Sequence, residues 1–378
     1  MTDIDFTRKF PIGVQSFEKL RTENYLYVDK SMHVYNITHT GMAYFLSRPR
    51  RFGKSLFLST LKAYFEGKKE LFKGLAIESL EKEWKKYPVL HFDFNAAKFD
   101  SIESLDSIVE QNLMLYEEIY GRNSKEVSVE NRFFGLIRRA FAATGEKVVV
   151  LIDEYDKPLL QTMDNEELHD KYRKYLKGFF GVLKSADEYL KFYLLTGVTK
   201  FSQVSVFSDL NQLKDISYTP TYNEICGLTW DEIEQNFKPE IEKLAKNNDS
   251  NYVDTKAMLI KNYDGYYFSD PIKAKSGVFN PFSVLNVLMD SEYDDYWFQT
   301  GTPTFLVNLM KKSDLDLRKL EGYTINTSEI RKIQDSRTNT SSPIPVLYQS
   351  GYLTIKKYDS KFKSYTLGFP NEEVKRGF

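Results

Sequence analysis

The chain has 378 residues, 42% of them hydrophobic, 28% charged and 15% aromatic, with acids and bases balanced to a net charge of -1. That composition describes a folded globular protein with room for two to three domains at roughly 150 residues each, and it excludes a disordered chain. The charge balance removes any global electrostatic case for wrapping nucleic acid. Cys226 is the single cysteine, so no intramolecular disulfide or multi-cysteine zinc site can form, which fits a reducing cytosol. No uncharged apolar run approaches the ~20 residues that span a bilayer, and the acidic N-terminus lacks the apolar core of a secretory signal. A cytoplasmic protein with no membrane partner is the expectation.

In chain order, Ala43-Tyr44-Phe45-Leu46 reads as a buried strand leading into a basic loop, followed by an amphipathic helix with Leu56, Phe57, Leu61, Tyr64 and Phe65 on one face and Gly67 at its end. Val89 to Phe94 is a second strand and Lys147 to Ile152 the strongest. Leu190 to Leu195 is a fourth, and Glu224 to Leu228 a weaker fifth. Near-continuous apolar strands alternating with helices predict a parallel sheet covered on both faces. From about Asp231 helical, charge-rich segments take over. Pro345 to Leu367 reads as a helix end and two strands around the turn Asp359-Ser360-Lys361, similar to the wing of a winged helix. Asn371 then caps what looks like the first turn of another helix, as if a further domain followed.

The chemistry concentrates in two strings. Arg48-Pro49-Arg50-Arg51-Phe52-Gly53-Lys54-Ser55 stands between a strand and a helix, the context a phosphate loop needs: backbone N–H groups and the helix N-terminus hold phosphate oxygens, Lys54 reaches the β/γ-phosphates, and Ser55 ligates Mg²⁺. Arg48 stands where such loops begin with glycine, and Gly-Lys-Ser alone is a weak signal. The second string strengthens it. Val148 to Ile152 delivers Asp153 to the sheet edge, where it can hold Mg²⁺, and Glu154 can deprotonate the attacking water. A strand between the two motifs, and another after them, is the order of P-loop ATPases with an added strand. That fourth strand ends in Thr196-Gly197-Val198-Thr199; Thr196, or failing it Thr199, can sense the γ-phosphate, although a threonine also closes many ordinary strands. Arg48, Arg50 and Arg51 either surround the triphosphate or bridge to another domain as a relay.

These strings, with Ile12 to Phe17, Tyr27-Val28-Asp29-Lys30, Leu151-Ile152-Asp153-Glu154-Tyr155-Asp156-Lys157-Pro158, Tyr263-Asp264-Gly265-Tyr266, Asn280-Pro281-Phe282-Ser283, Ser350 to Thr354 and Pro370 to Val374, resemble the AAA-ATPase-like family of bacterial proteins. Its members usually carry a C-terminal PD-(D/E)XK nuclease-like domain. The resemblance implies that Arg48 is the family's usual residue, that ATP and Mg²⁺ bind at Gly53, Lys54, Ser55 and Asp153, and that Glu154 is the base. It also implies that Ile12 to Phe17, Tyr27 and Asp29 lie near the adenine, and that a nuclease domain would start where this chain stops. No carboxylate–lysine constellation of a nuclease is identifiable, so no nuclease activity is expected of the chain.

The expected fold is a three-layer α/β/α P-loop NTPase core of the additional-strand, AAA-like kind, followed by a helical and winged-helix-like part. Its divisions are an N-terminal segment (1–40), the ATPase core (41–232) and the lid with the wing-like unit (233–378). The expected function is a Mg-dependent ATPase regulating an attached or partner nuclease. The alternatives are a nucleotide-gated switch or scaffold with little turnover, and a DNA-binding motor or loader. Whether it forms an oligomer is open.

Overall fold

The computed structural model describes residues 9–95, 98–200, 210, 212–299, 304–311, 313, 316–331 and 342–378. Five parallel strands form the central sheet: β1 (Ala43–Ser47), β2 (Val89–Asp93), β3 (Val148–Asp153), β4 (Leu190–Gly197) and β5 (Lys214–Asp215), in the order β2-β3-β4-β1-β5. β1 and β3 are fully buried along their length, as strands covered on both faces must be. Register shows the two faces. Phe92, level with Ile152 and Leu195, packs against Phe133 and Phe179 at ring distances of 5.0 and 5.6 Å. Phe192, three residues from Leu195, points the other way and meets Phe65 at 5.1 Å. Helices Ile102–Tyr120, Val129–Thr144 and Glu166–Ser185 thus form one layer, and helix Lys54–Phe65 with Phe17–Thr22 the other. Each of the first three starts on a side-chain cap, from Ser101, Ser128 and Asn165.

The fifth strand is not where the sequence suggested. Glu224 to Leu228 sends its hydrogen bonds elsewhere: Gly227 N donates to Phe52 O at 3.1 Å, and Leu228 exchanges bonds with Phe279. β5 takes the edge position beside β1, and 224–228 wall the phosphate loop instead.

Beyond it, helices Trp230–Asn247, Tyr252–Tyr263 and Pro281–Asp290 enclose a second apolar cluster with Ile233, Phe237, Ile241, Leu259 and Val284, which Phe10, Ile12, Leu26 and Val28 join from the N-terminal segment. The rest of the C-terminal part shares the first core. Helix Ile344–Gln349 falls in the chain between the first and second strands of an antiparallel sheet, β6 (Tyr323–Asn326), β7 (Thr354–Asp359) and β8 (Ser364–Gly368), ordered β6-β8-β7, and Ile325, Leu347, Ile355 and Leu367 are continuous with the apolar core around the parallel sheet. In the β7–β8 turn, Asp359 accepts from the amides of Lys361 and Phe362. Asn371 caps helix Glu372–Gly377 through the Val374 amide. Among the described residues no helix is long and apolar enough to cross a membrane.

Candidate nucleotide site

The basic loop joins β1 to helix Lys54–Phe65. Gly53 caps that helix at φ +93°, a conformation that costs an L side chain energy even where, as here, a Cβ would meet nothing within 4 Å. Arg51 bears φ +68°. The turn exposes the first backbone N–H groups of the helix, which have no partner within it.

The three arginines part company. Arg48 is 1% exposed; Nη1 donates to Ser47 O (2.9 Å) and Ser217 O (2.8 Å), Nη2 to Tyr222 O (2.7 Å), and the guanidinium lies 4.1 Å from the Phe268 ring centre. Burial pushes its pKa down. Arg50 and Arg51 are exposed, with Arg51 over the Phe282 ring at 4.7 Å and Arg50 O within 3.5 Å of Asn280 Nδ2. Phe52 is buried edge-on against Tyr266 (4.9 Å) and Phe268 (5.5 Å), and Pro49 is buried against Gly351.

Lys54 is 4% exposed, and its Nζ donates to Arg48 O (3.1 Å) and Pro49 O (3.3 Å) while facing Glu154 Oε1 at 3.4 Å. Glu154 holds φ +52°, a left-handed conformation uncommon for its type and frequent where a site re-aims a side chain. Asp153, at the end of β3, accepts on Oδ1 from Thr196 Oγ1 (2.6 Å) and from Glu154 N (3.0 Å). Thr199 serves the next acid: its amide and hydroxyl both reach Asp156 Oδ2 at 2.6 Å, and Val198 N reaches Oδ1 at 3.2 Å. Burial, and then the nearby Glu154 charge, push the Asp156 carboxyl up.

A cavity of about 570 Å³ opens beside these groups, within the size range of small-molecule sites. Arg50, Arg51, Phe52, Gly53, Lys54, Ser55 and Glu154 line its polar end; Ile12, Val14, Leu26, Val28, Leu228 and Phe237 line its apolar end, and Tyr27 also belongs to the lining. Burial, then the Asp29 charge, hold the Tyr27 phenol well above its ordinary pKa, so it stays protonated. Arg48, Pro49, Phe17, Asp29, Asp153 and Thr196 lie outside the lining. Phe17 is a core residue against Phe72 at 4.9 Å, its amide on Ser59 Oγ. Asp29 accepts from the amides of Ser31 (2.8 Å) and Ala76 (2.7 Å), which ties two helix starts together.

Other residues at the site carried no assignment from the sequence: Asp156, Lys157, Asn95, Phe268 and Phe282. Asp156 and Lys157 stand in the same string as Glu154, so a signal existed for them. Phe268 and Phe282 reach the loop only through tertiary packing.

For Mg²⁺ the donor set is right. The ion takes hard oxygen ligands, usually one or two from protein with the rest from phosphate and water. Asp153, steadied through one oxygen, and Ser55, in the first helical turn, supply such atoms. Among the described residues no group of three or more His, Cys, Asp or Glu side chains forms a metal cage, and such a shared ion needs none.

Sheet order and loop together define the class, a nucleotide-binding P-loop protein of AAA-like build. The chain belongs to the predicted AAA-ATPase family, whose model matches residues 11–207. It is 36% identical over 371 residues to the "Uncharacterized protein in vnfD 5'region" of Azotobacter chroococcum mcd 1, an alignment covering 97% of this chain and 68% of that one. The solved structure of the Aeropyrum pernix ORC1 protein in complex with DNA matches 95% of both chains at 10% identity with a TM-score of 0.34, too loose a likeness to argue from.

Proposed function

We propose that the chain binds ATP with Mg²⁺ in this cavity and hydrolyses it. The observation that carries the reading is the 3.4 Å approach of Lys54, from the loop, to Glu154, from the far side of β4, at the polar end of a cavity whose other end is apolar. The partners of Lys54 are carbonyls and a carboxylate, acceptors that phosphate oxygens can replace. Glu154, released from Lys54, takes a proton from water as the water attacks Pγ; the Pγ–O bond to the β-phosphate breaks and ADP leaves. Asp153 and Ser55 would hold Mg²⁺, which would supply charge neutralisation at the phosphates. Thr196 acts by orienting Asp153. The adenine sits toward Ile12, Val14 and Tyr27.

A second reading has its own observation. Pro49, Arg51 and Phe52 of the loop are each held by the C-terminal part, by Gly351, Phe282 and Tyr266 respectively. A loop clasped this way suits a nucleotide-gated switch that controls an attached or partner nuclease while turning over slowly. The hairpin of β7 and β8 after helix Ile344–Gln349 is read as winged-helix-like; a DNA motor is ranked last because the balanced charge gives no support for it.

Steady-state phosphate release and ATP binding by wild type, Lys54→Ala and Glu154→Gln decide between the two. Loss of binding in Lys54→Ala, with retained binding and lost release in Glu154→Gln, supports the ATPase. Equal, near-zero release by wild type and Glu154→Gln, with ATP still bound, supports the switch. Wild-type affinity in Lys54→Ala overturns both.

A further inference from the structure

The cations around the cavity differ in what neutralises them. Lys30 is paired with Glu232 at 2.6 Å and Lys54 faces Glu154. Arg51 lies on the Phe282 ring. Two cations remain. Arg50 and Lys157 both line the cavity, and among the described residues no ion pair links either to a carboxylate. Lys157 Nζ donates to the backbone oxygen of Asn95 and to its Oδ1 at 2.9 Å. Those acceptors are neutral: they hold the amine in place without cancelling its charge. Asn95 is itself fixed, its amide on Asp93 Oδ1 at 2.7 Å just past the end of β2.

Position says which end of a nucleotide these charges would meet. Lys157 N donates to Glu154 O at 3.0 Å, so the lysine stands one turn beyond the proposed base. Burial lowers the Lys157 pKa; the Glu154 and then the Asp93 charge oppose that, and the Arg50 charge adds to it in the smallest measure. Both cations line the same cavity, so an anion bound there is attracted to each of them.

We propose that Lys157 and Arg50 form an intrachain cationic clamp on the γ-phosphate of ATP, so that the hydrolytic site is complete within one chain. The inference rests on the hydrolytic reading above. As water adds to Pγ and the bond to the β-phosphate breaks, charge spreads over the equatorial oxygens and the leaving oxygen of ADP. Lys157 exchanges its Asn95 acceptors for a γ-oxygen and meets that charge from the Glu154 side, while Arg50 meets it from the loop side. In other nucleotide hydrolases this charge is met by an arginine from the same chain or from a partner protein; here the chain's own residues do it.

The test compares the full chain with Lys157→Ala, Lys157→Met, Lys157→Arg and Arg50→Ala, measuring MgATP affinity, phosphate release and thermal midpoint. The expected result is a fall in kcat on the order of 10²-fold in Lys157→Ala and Lys157→Met, with Kd changed by less than about fivefold. Lys157→Arg should recover much of the rate. Wild-type kcat per chain should stay constant over about a hundredfold dilution, since no neighbour completes the site. Wild-type kcat in both Lys157→Ala and Arg50→Ala, or a rate per chain that falls on dilution, overturns the clamp and leaves the hydrolytic reading standing. A wild type that binds ATP and releases no phosphate overturns both. Should the lysine variants lose their fold, seen as a collapsed thermal midpoint, Arg50→Ala decides, because Arg50 is exposed.

Discussion

A Cβ placed on Gly351 would stand 2.8 Å from Pro49 Cβ, so the phosphate loop and the turn before β7 are fitted to each other at a single glycine. Gly351 also holds φ +92°. Gly351→Ala therefore meets two penalties, left-handed strain and collision with Pro49, together about 2 kcal/mol of stability. Because the collision pushes on the loop, ATP affinity should drop by roughly tenfold, about 1.4 kcal/mol. Gly322→Ala is the control: φ is +84° there but nothing lies within 4 Å of the new Cβ. It should lose stability alone. Thermal melts with and without MgATP read both effects, and equal ATP affinities in the two variants would disconnect Gly351 from the loop.

The Thr196 hydroxyl donates to Asp153 Oδ1 at 2.6 Å, which makes the threonine a holder of the carboxylate before anything else. Thr196→Val keeps the shape and removes the donor; kcat should fall by about 10- to 100-fold with the Mg²⁺ requirement moved to higher concentration. Thr196→Ser should stay near wild type. If Thr196 instead read the γ-phosphate directly, the valine variant would lose its preference for ATP over ADP at unchanged Mg²⁺ dependence.

Helix Glu372–Gly377 is held through a buried acid. Glu373 is 0% exposed; its Oε1 accepts from Ser283 Oγ (3.1 Å) and Trp297 N (2.8 Å), and among the described residues its Oε2 has no hydrogen-bond partner. Burial raises the carboxyl from its ordinary value near 4.5 to about 7, with Asp295 raising and Arg376 lowering it in smaller measure. The sign follows: between those two values the folded chain keeps a proton that the unfolded chain has released. The associated stability is complete below about 4.5, falls as pH rises through about 7, and is flat above. The span is on the order of 3 kcal/mol. Glu373→Gln should be more stable than wild type at pH 8 and flatten the profile between pH 5 and 7, as read by urea melts. A wild-type profile that rises with pH across that window contradicts the assignment.

What the sequence made legible was local. The strings around Lys54 and Asp153 carry strand, turn and acid within a few residues, and a β-branched run such as Val148–Ile152 cannot easily be anything but a buried strand. That a fourth strand follows β3 is legible in the chain; its insertion between β1 and β3 is settled by tertiary pairing. Glu224 to Leu228 misled because a short apolar run bonds equally well to a loop, and only the tertiary partners Phe52 and Phe279 decide. Asp29 looked like a nucleotide contact, yet it lies outside the cavity lining and each of its oxygens accepts a backbone amide, one of them at Ala76. No pattern in residues 48–55 says which of three arginines turns inward.

Arg48 is the sharpest case, and it can be separated from its neighbours. Its guanidinium gives two nitrogens to three carbonyls, from Ser47, Ser217 and Tyr222, with Phe268 against its face. It thereby pins the end of β1 to the chain after β5. A lysine has one nitrogen and no flat face, so Arg48→Lys leaves buried carbonyls without donors and should cost about 2–4 kcal/mol of stability. Well below the melting temperature, its ATP affinity should remain within a few-fold of wild type, about 0.8 kcal/mol or less. Lys54→Ala should show the reverse, a lost affinity with a nearly unchanged melting temperature. That crossed pair of outcomes, measured by calorimetric titration and thermal melts, makes Arg48 the brace of the loop and Lys54 its ligand. An Arg48→Lys chain that melts like wild type but no longer binds ATP would instead put the guanidinium on the phosphates.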